Sequence, residues 1–176
     1  MSSTACEPGV LRVSGLVMDS IVDGPGLRLA VFTQGCPHAC PGCHNPQSHD
    51  SLGGTLTPVA EIAEKVRRNP LLSGVTLTGG EPLEQAEACL TLLKALPEGL
   101  SCWLYTGWTW EEIWTRADPT ELALLRACEV MVDGRYIAAE RTLSAPYRGS
   151  RNQRLIDVRK TLAGDGTIVP WEPPAW

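Results

Sequence analysis

Gln34-Gly35-Cys36-Pro37-His38-Ala39-Cys40-Pro41-Gly42-Cys43-His44-Asn45-Pro46 leaves directly from the apolar run Leu27 to Phe32. A buried strand thus ends in a short turn holding three cysteines in C-x3-C-x2-C spacing, with Gly35, Pro37, Pro41 and Gly42 bending the chain between them. Thiols this close on a loop read as a soft-metal site rather than as a disulfide framework. Their odd number is the informative part. A closed zinc site takes four ligands, and a four-cysteine iron–sulfur cluster needs one more thiolate than the turn supplies. Cys36, Cys40 and Cys43 suit a 4Fe-4S cube whose fourth iron has no protein ligand. The spacing leaves open a zinc knuckle completed by His38 or His44, and three unrelated thiols in a turn.

Outward from this turn, strand and helix patterns alternate. Leu11 to Met18 reads as a first strand, and Asp23-Gly24-Pro25-Gly26 as the turn before the buried one. Thr57-Pro58 reads as a helix entry, Thr as N-cap and Pro at the first helical position, with Val59, Ile62, Ala63 and Val66 as its apolar stripe. Gly74 to Thr78 is a short strand running into Gly79-Gly80-Glu81-Pro82, and a helix from about Leu83 to Leu96 turns Ala86, Cys89, Leu90, Leu93 and Leu96 inward. Cys102 to Thr106 is the next strand, and Thr109-Trp110-Glu111-Glu112 has capping-box spacing for the helix after it. A further helix over Glu121 to Ala127, a buried strand at Val130 to Val132 ending in Asp133-Gly134, and a last strand near Leu155 to Val158 complete the pattern. This alternation predicts an α/β fold with five or six mainly parallel strands, too few to close an eight-stranded barrel, and hence an open partial (β/α) barrel.

A chain of 176 residues needs only one core. The expected division is a disordered lead-in over 1–10, one domain over 11–163 and an extended tail over 164–176. A net charge of −5 argues against a nucleic-acid binder, although seven of the fifteen basic residues fall between Arg135 and Lys160 and could face an anionic partner. No basic-then-apolar leader and no bilayer-length apolar run is present, so the expectation is a cytoplasmic protein with no membrane partner. In a reducing compartment cysteines stay as thiols or metal ligands. Cys89, Cys102 and Cys128 sit in apolar segments and read as core, and Cys6 as incidental.

In parallel sheets with right-handed crossovers, ligands bind at the carboxyl ends of strands. The cysteine turn, Gly79-Gly80-Glu81, Thr106-Gly107 and Asp133-Gly134 all lie at such ends and should share one rim. Gly79 and Gly80 would let a ligand approach the backbone, and Glu81 would offer an acceptor to an ammonium group. A tight strand-to-helix turn is the plainer account of the same three residues.

The cysteine turn resembles the signature of the radical S-adenosylmethionine (SAM) superfamily. Asp23-Gly24-Pro25-Gly26-Leu27-Arg28, Gln34-Gly35-Cys36 and Gly42-Cys43-His44-Asn45-Pro46 resemble the glycyl-radical-enzyme activases. Tyr105-Thr106-Gly107-Trp108, Val132-Asp133-Gly134-Arg135-Tyr136 and Arg148-Gly149-Ser150-Arg151-Asn152-Gln153-Arg154 are similar to the activating proteins of anaerobic ribonucleoside-triphosphate reductases. The resemblance implies one 4Fe-4S cluster on Cys36, Cys40 and Cys43 and SAM at the open iron, cleaved to a 5'-deoxyadenosyl radical. That radical would take a hydrogen atom from a glycine of the reductase. The electron would come from a low-potential donor such as flavodoxin.

By the same resemblance Gly79, Gly80 and Glu81 would hold the methionine amino group, Gly42 to His44 would lie along the nucleotide, and Thr106 and Asp133 would line the SAM pocket. No catalytic residue beyond cluster and SAM is implied, so His38, His44 and His49 need not act as acid or base. Gly42 departs from the pattern, because many relatives carry there an aromatic residue against the adenine; His44 is one candidate for that role. The resemblance also admits an activase of the pyruvate formate-lyase type or a small-molecule enzyme such as 7-carboxy-7-deazaguanine synthase. A zinc-binding interaction module is the reading from another class.

Overall fold

The structure is a computed structural model that describes residues 9–165 and 167–173. Seven strands form one open sheet: β1 (Val10–Ser20), β2 (Arg28–Thr33), β3 (Thr55–Pro58), β4 (Gly74–Gly79), β5 (Ser101–Tyr105), β6 (Val130–Asp133) and β7 (Arg154–Asp157). Their order is β3-β1-β2-β4-β5-β6-β7. The middle four run parallel, while β1 and β3 at one margin and β7 at the other pair antiparallel.

The α/β class and the open sheet agree with the sequence pattern, but the strand count and the balance of directions do not. Half of the pairings are antiparallel. β1 meets β2 through the turn at Ile21–Leu27, which is too short for a crossover and so forces antiparallel pairing. β3 is four residues long and only Thr57 is buried, so it carries no legible alternation. Thr57 and Pro58 are therefore the last residues of a strand, paired with Leu11 and Val10, and not a helix entry led by a threonine cap. Helix α1 (Val59–Arg67) follows with extended Pro58 in the capping position.

The other helices are α2 (Ala86–Ala95), α3 (Trp110–Arg116), α4 (Pro119–Arg126) and α5 (Val158–Ala163). A short 3-10 turn over Pro82–Gln85 precedes α2, so this helix starts later than its apolar pattern suggested, and it buries Leu92 where Leu93 was expected. α3 has the expected capping box, Thr109 Oγ1 accepting from the Glu112 amide and the Glu112 carboxylate from the Thr109 amide. α5 had no signal strong enough to be read.

Strand alternation divides the interior in two. Leu29, Val31, Val75, Leu77, Leu104 and Met131 pack under the helices. On the opposite face Trp103, Val130, Val132 and Leu155 meet Tyr105, Tyr147 and Trp171. Trp171 donates its backbone N–H to Leu155 O at 2.8 Å, and its ring centroid lies 4.8 Å from that of Trp103. The described part of the tail is thus packed on the sheet; Trp176 and the lead-in up to Pro8 lie outside the described residues.

The same face holds Arg28, which has no solvent exposure. Its guanidinium is satisfied by Thr76 Oγ1 (2.7 Å), Ser101 Oγ (2.7 Å), Val75 O and Ser101 O (2.9 Å each) and Pro25 O (3.2 Å). A buried charge survives only with such complete pairing. Here it cross-links β2, β4 and β5 at the end of the sheet remote from the cysteines.

Candidate metal and cofactor site

β2 delivers the chain to the cysteine turn, and the residue after it holds both limbs of that turn together. Gln34 is buried and donates from Nε2 to Gln47 O (2.9 Å) and Asp50 O (2.6 Å). Its own carbonyl accepts from Gln85 Nε2 at 2.9 Å. Gly35 and Cys36 donate their amides to Ser48 O (2.8 Å) and His49 O (3.2 Å). Within the turn Ala39 and Gly42 take left-handed φ values of 46° and 74°, and the Cys43 amide reaches Cys40 O at 3.1 Å.

The end of β4 is knitted to that turn through its backbone. The Gly80 amide donates to Thr33 O and the Glu81 amide to Gly35 O, both at 2.8 Å. A Cβ on Gly79 would stand 2.5 Å from Phe32 Cα, and one on Gly80 2.4 Å from Gly35 O. These glycines are therefore required by the close approach of β2 and of Gly35 in the turn after it, whatever binds beside them.

Glu81 is fully buried at the same junction. Its Oε2 accepts from His38 Nε2 (2.8 Å), the Gly107 amide (2.8 Å) and Thr106 Oγ1 (2.9 Å), and its Oε1 from the Leu83 amide (3.1 Å). Three donors crowd Oε2 and one meets Oε1, so both carboxylate oxygens are engaged within the protein. The sequence expectation of a Glu81 oxygen open to an ammonium group differs from this arrangement.

Between these elements lies a cup of about 480 Å³, on the face of the sheet away from the helices. Cys36, Cys40, Cys43, His44, Gly79, Gly80 and Thr106 line it. Its size is in the range of small-molecule sites. Three further expected residues stand outside its lining. Gly42 is exposed and faces Ala138 and Tyr136, Glu81 is fully buried, and Asp133 opens onto a neighbouring hollow with Glu111 and Arg154.

Asp133 is buried and accepts from Arg154 Nε (2.9 Å), from Arg154 Nη2 and from the Trp110 amide (2.9 Å). It thereby caps α3 and pins β7. Arg154 also reaches both oxygens of Glu111, at 3.0 and 2.8 Å, and holds that carboxyl down at a pKa of about 2.

Sequence reasoning missed Tyr105, Tyr136, His49 and Arg148 as lining residues. Tyr136 lies 4.8 Å from the His44 ring and against Gly42, so an aromatic face stands beside the position where the cysteine turn lacks one. The run of arginines after position 135 was the signal for Arg148, and the segment it belongs to folds over the cup rather than away from it. Among the described residues, His49 Nε2 and Arg148 Nε are buried without a hydrogen-bond partner.

The donor set fits the cluster that the spacing suggests. Three free thiols share one cup, with an orphaned imidazole nitrogen beside them. Among the described residues no three His, Cys, Asp or Glu side chains gather about a single ion position; a cube asks instead for one thiolate per iron. Burial pushes the Cys36 thiol up, partly offset by the His38 and Ala39 amides, so loading must release its proton. Cys89 and Cys128 are buried in the helix-side core, where desolvation raises both thiols. No helix among the described residues is long and apolar enough to cross a membrane.

Comparison with known proteins adds two findings. Residues 22–156 match a family model described as a 4Fe-4S single cluster domain. The chain is also similar to proteins named anaerobic ribonucleoside-triphosphate reductase-activating protein. That of Enterobacteria phage T4 is 35% identical, over 76% of this chain and 86% of the relative. That of Vibrio cholerae is 33% identical over 76% and 89%, and that of Escherichia coli K12 29% identical over 76% and 90%. With its cysteine turn, its cup and its relatives in agreement, the chain belongs to the family of anaerobic ribonucleoside-triphosphate reductase-activating proteins and carries that family's 4Fe-4S domain.

Proposed function

We propose that this protein is a radical SAM activating enzyme that generates a glycyl radical on an anaerobic ribonucleoside-triphosphate reductase. The observation that carries the reading is the convergence of Cys36, Cys40 and Cys43 with Gly79 and Gly80 on one cup at the carboxyl ends of the parallel strands. The names of the relatives supply the target. The open sheet supports a partial barrel of the radical SAM type, with 11–163 as the working domain.

Loaded with a 4Fe-4S cluster and SAM, the site would supply one electron to the sulfonium and release a 5'-deoxyadenosyl radical able to take a hydrogen atom from glycine. What the chain's own residues contribute is position and enclosure. Cys36, Cys40 and Cys43 would hold three irons. The Gly79-Gly80 backbone and Thr106 would face the methionine moiety, and His44 with Tyr136 would offer aromatic surface to the nucleoside. Gly42 and Asp133 would act from behind the lining, through the shape of the turn and the seating of α3. Tyr105, Phe32 and Tyr147 wall the cup and would keep water from a reactive carbon centre. A low-potential donor such as flavodoxin is the electron source of this proposal.

The test is anaerobic mixing of the reduced, iron-loaded protein with SAM and the reductase, read by electron paramagnetic resonance. A glycyl-radical doublet on the reductase is expected. A fully loaded cluster that cleaves SAM yet leaves no doublet would overturn the choice of partner in favour of a small-molecule substrate.

A further inference from the structure

His38 occupies the middle of the C-x3-C segment, yet its side chain is turned under the turn and is almost wholly buried. Because an ionised carboxylate only accepts, Nε2 carries the proton in the 2.8 Å bond to Glu81 Oε2. The His38 ring meets Trp108 edge-on with centroids 4.6 Å apart. It also fills the space above Gly107, where a Cβ would stand 2.3 Å from the imidazole. The same Glu81 oxygen holds Thr106 and the Gly107 amide. One imidazole therefore joins the cysteine turn to the ends of β4 and β5. Among the described residues, the other hydrogen bonds tying the segment from Gln34 to Cys43 to elements outside the turn are made at Gln34, Gly35 and Cys36, at its base.

We infer that His38 is a positioning residue. By donating to Glu81 it latches the segment between Cys36 and Cys43 onto the strand rim, so that three thiols are arranged before any metal arrives. Glu81 is the fixed half of this latch and works through the frame of the cup. The consequence for cluster retention rests on the proposed function; the order imposed on the metal-free turn does not.

The test compares the full-length protein with His38→Ala, His38→Gln, Glu81→Gln and the His38→Ala/Glu81→Gln pair. In the metal-free proteins, hydrogen exchange is followed at the amides of Cys43 and Gly107. About tenfold faster exchange is expected in His38→Ala, with near-normal protection in His38→Gln, whose amide nitrogen reaches the position of Nε2. Unchanged exchange in His38→Ala would overturn the latch, as would His38→Gln behaving like alanine. In reconstituted proteins, loss of the iron–sulfur absorbance to a chelator should be roughly tenfold faster in His38→Ala. Coupling predicts that the double variant is no worse than the worse single one; fully additive effects would overturn it. Failure of the wild-type protein to take up about four irons would count against the proposed function, while the exchange measurements would still decide the latch.

Discussion

Two buried carboxylates sit at the ends of β4 and β6, on either side of β5, and are held in different ways. Glu81, after β4, is held by two backbone amides, a hydroxyl and an imidazole. Asp133, ending β6, is held by the charged guanidinium of Arg154, which is itself shared with exposed Glu111. The first arrangement gathers three different segments beneath the cup. The second fastens α3 and the edge strand β7 to the end of β6. A buried carboxylate here marks a joint, and the identity of its donors tells which joint concerns the site.

Breaking each joint in turn should separate them. Glu81→Ala strands the Leu83 and Gly107 amides and frees His38, so a loss of about 3 kcal/mol or more is expected in denaturant unfolding, with poor iron uptake. Equal iron retention in that variant would erase the distinction between the two joints. Arg154→Ala leaves Asp133 with the Trp110 amide alone and should cost about 2 kcal/mol with iron content unchanged. The smallest effect is acidic. Glu111 has a folded pKa of about 2 against an ordinary 4.5, so its contribution is present above pH 4.5 and is lost as pH falls from there through 2. Because that side chain is largely exposed, the loss should be slight and weaken with salt, and Arg154→Ala should abolish it.

Local chemistry was legible where one short segment carried it. The C-x3-C-x2-C turn, the capping box at Thr109 and the strand ends at Gly79 and Thr106 were placed from sequence, and all three cysteines line one cup. What escaped were features made by partners distant in the chain. β3 is short and exposed, so its pairing with β1 left no pattern. Asp133 looked like a pocket residue because it ends a strand, but Arg154, twenty-one positions later, turns it to the other side. Tyr136 and Arg148 enter the cup because the segment after β6 folds back, which no periodicity encodes.

By itself the sequence determined the kind of chemistry available: three thiols within eight residues, short of a closed metal site, at the end of a buried strand. That much follows from residue types and spacing, which bonding along the chain preserves. Only the tertiary structure decided what the residues around those thiols do, since Gly79, Gly80, Glu81 and His38 are explained by the neighbours that folding brings against them. Close packing and the saturation of buried acceptors are properties of neighbours in space, and a linear order of residues does not contain them.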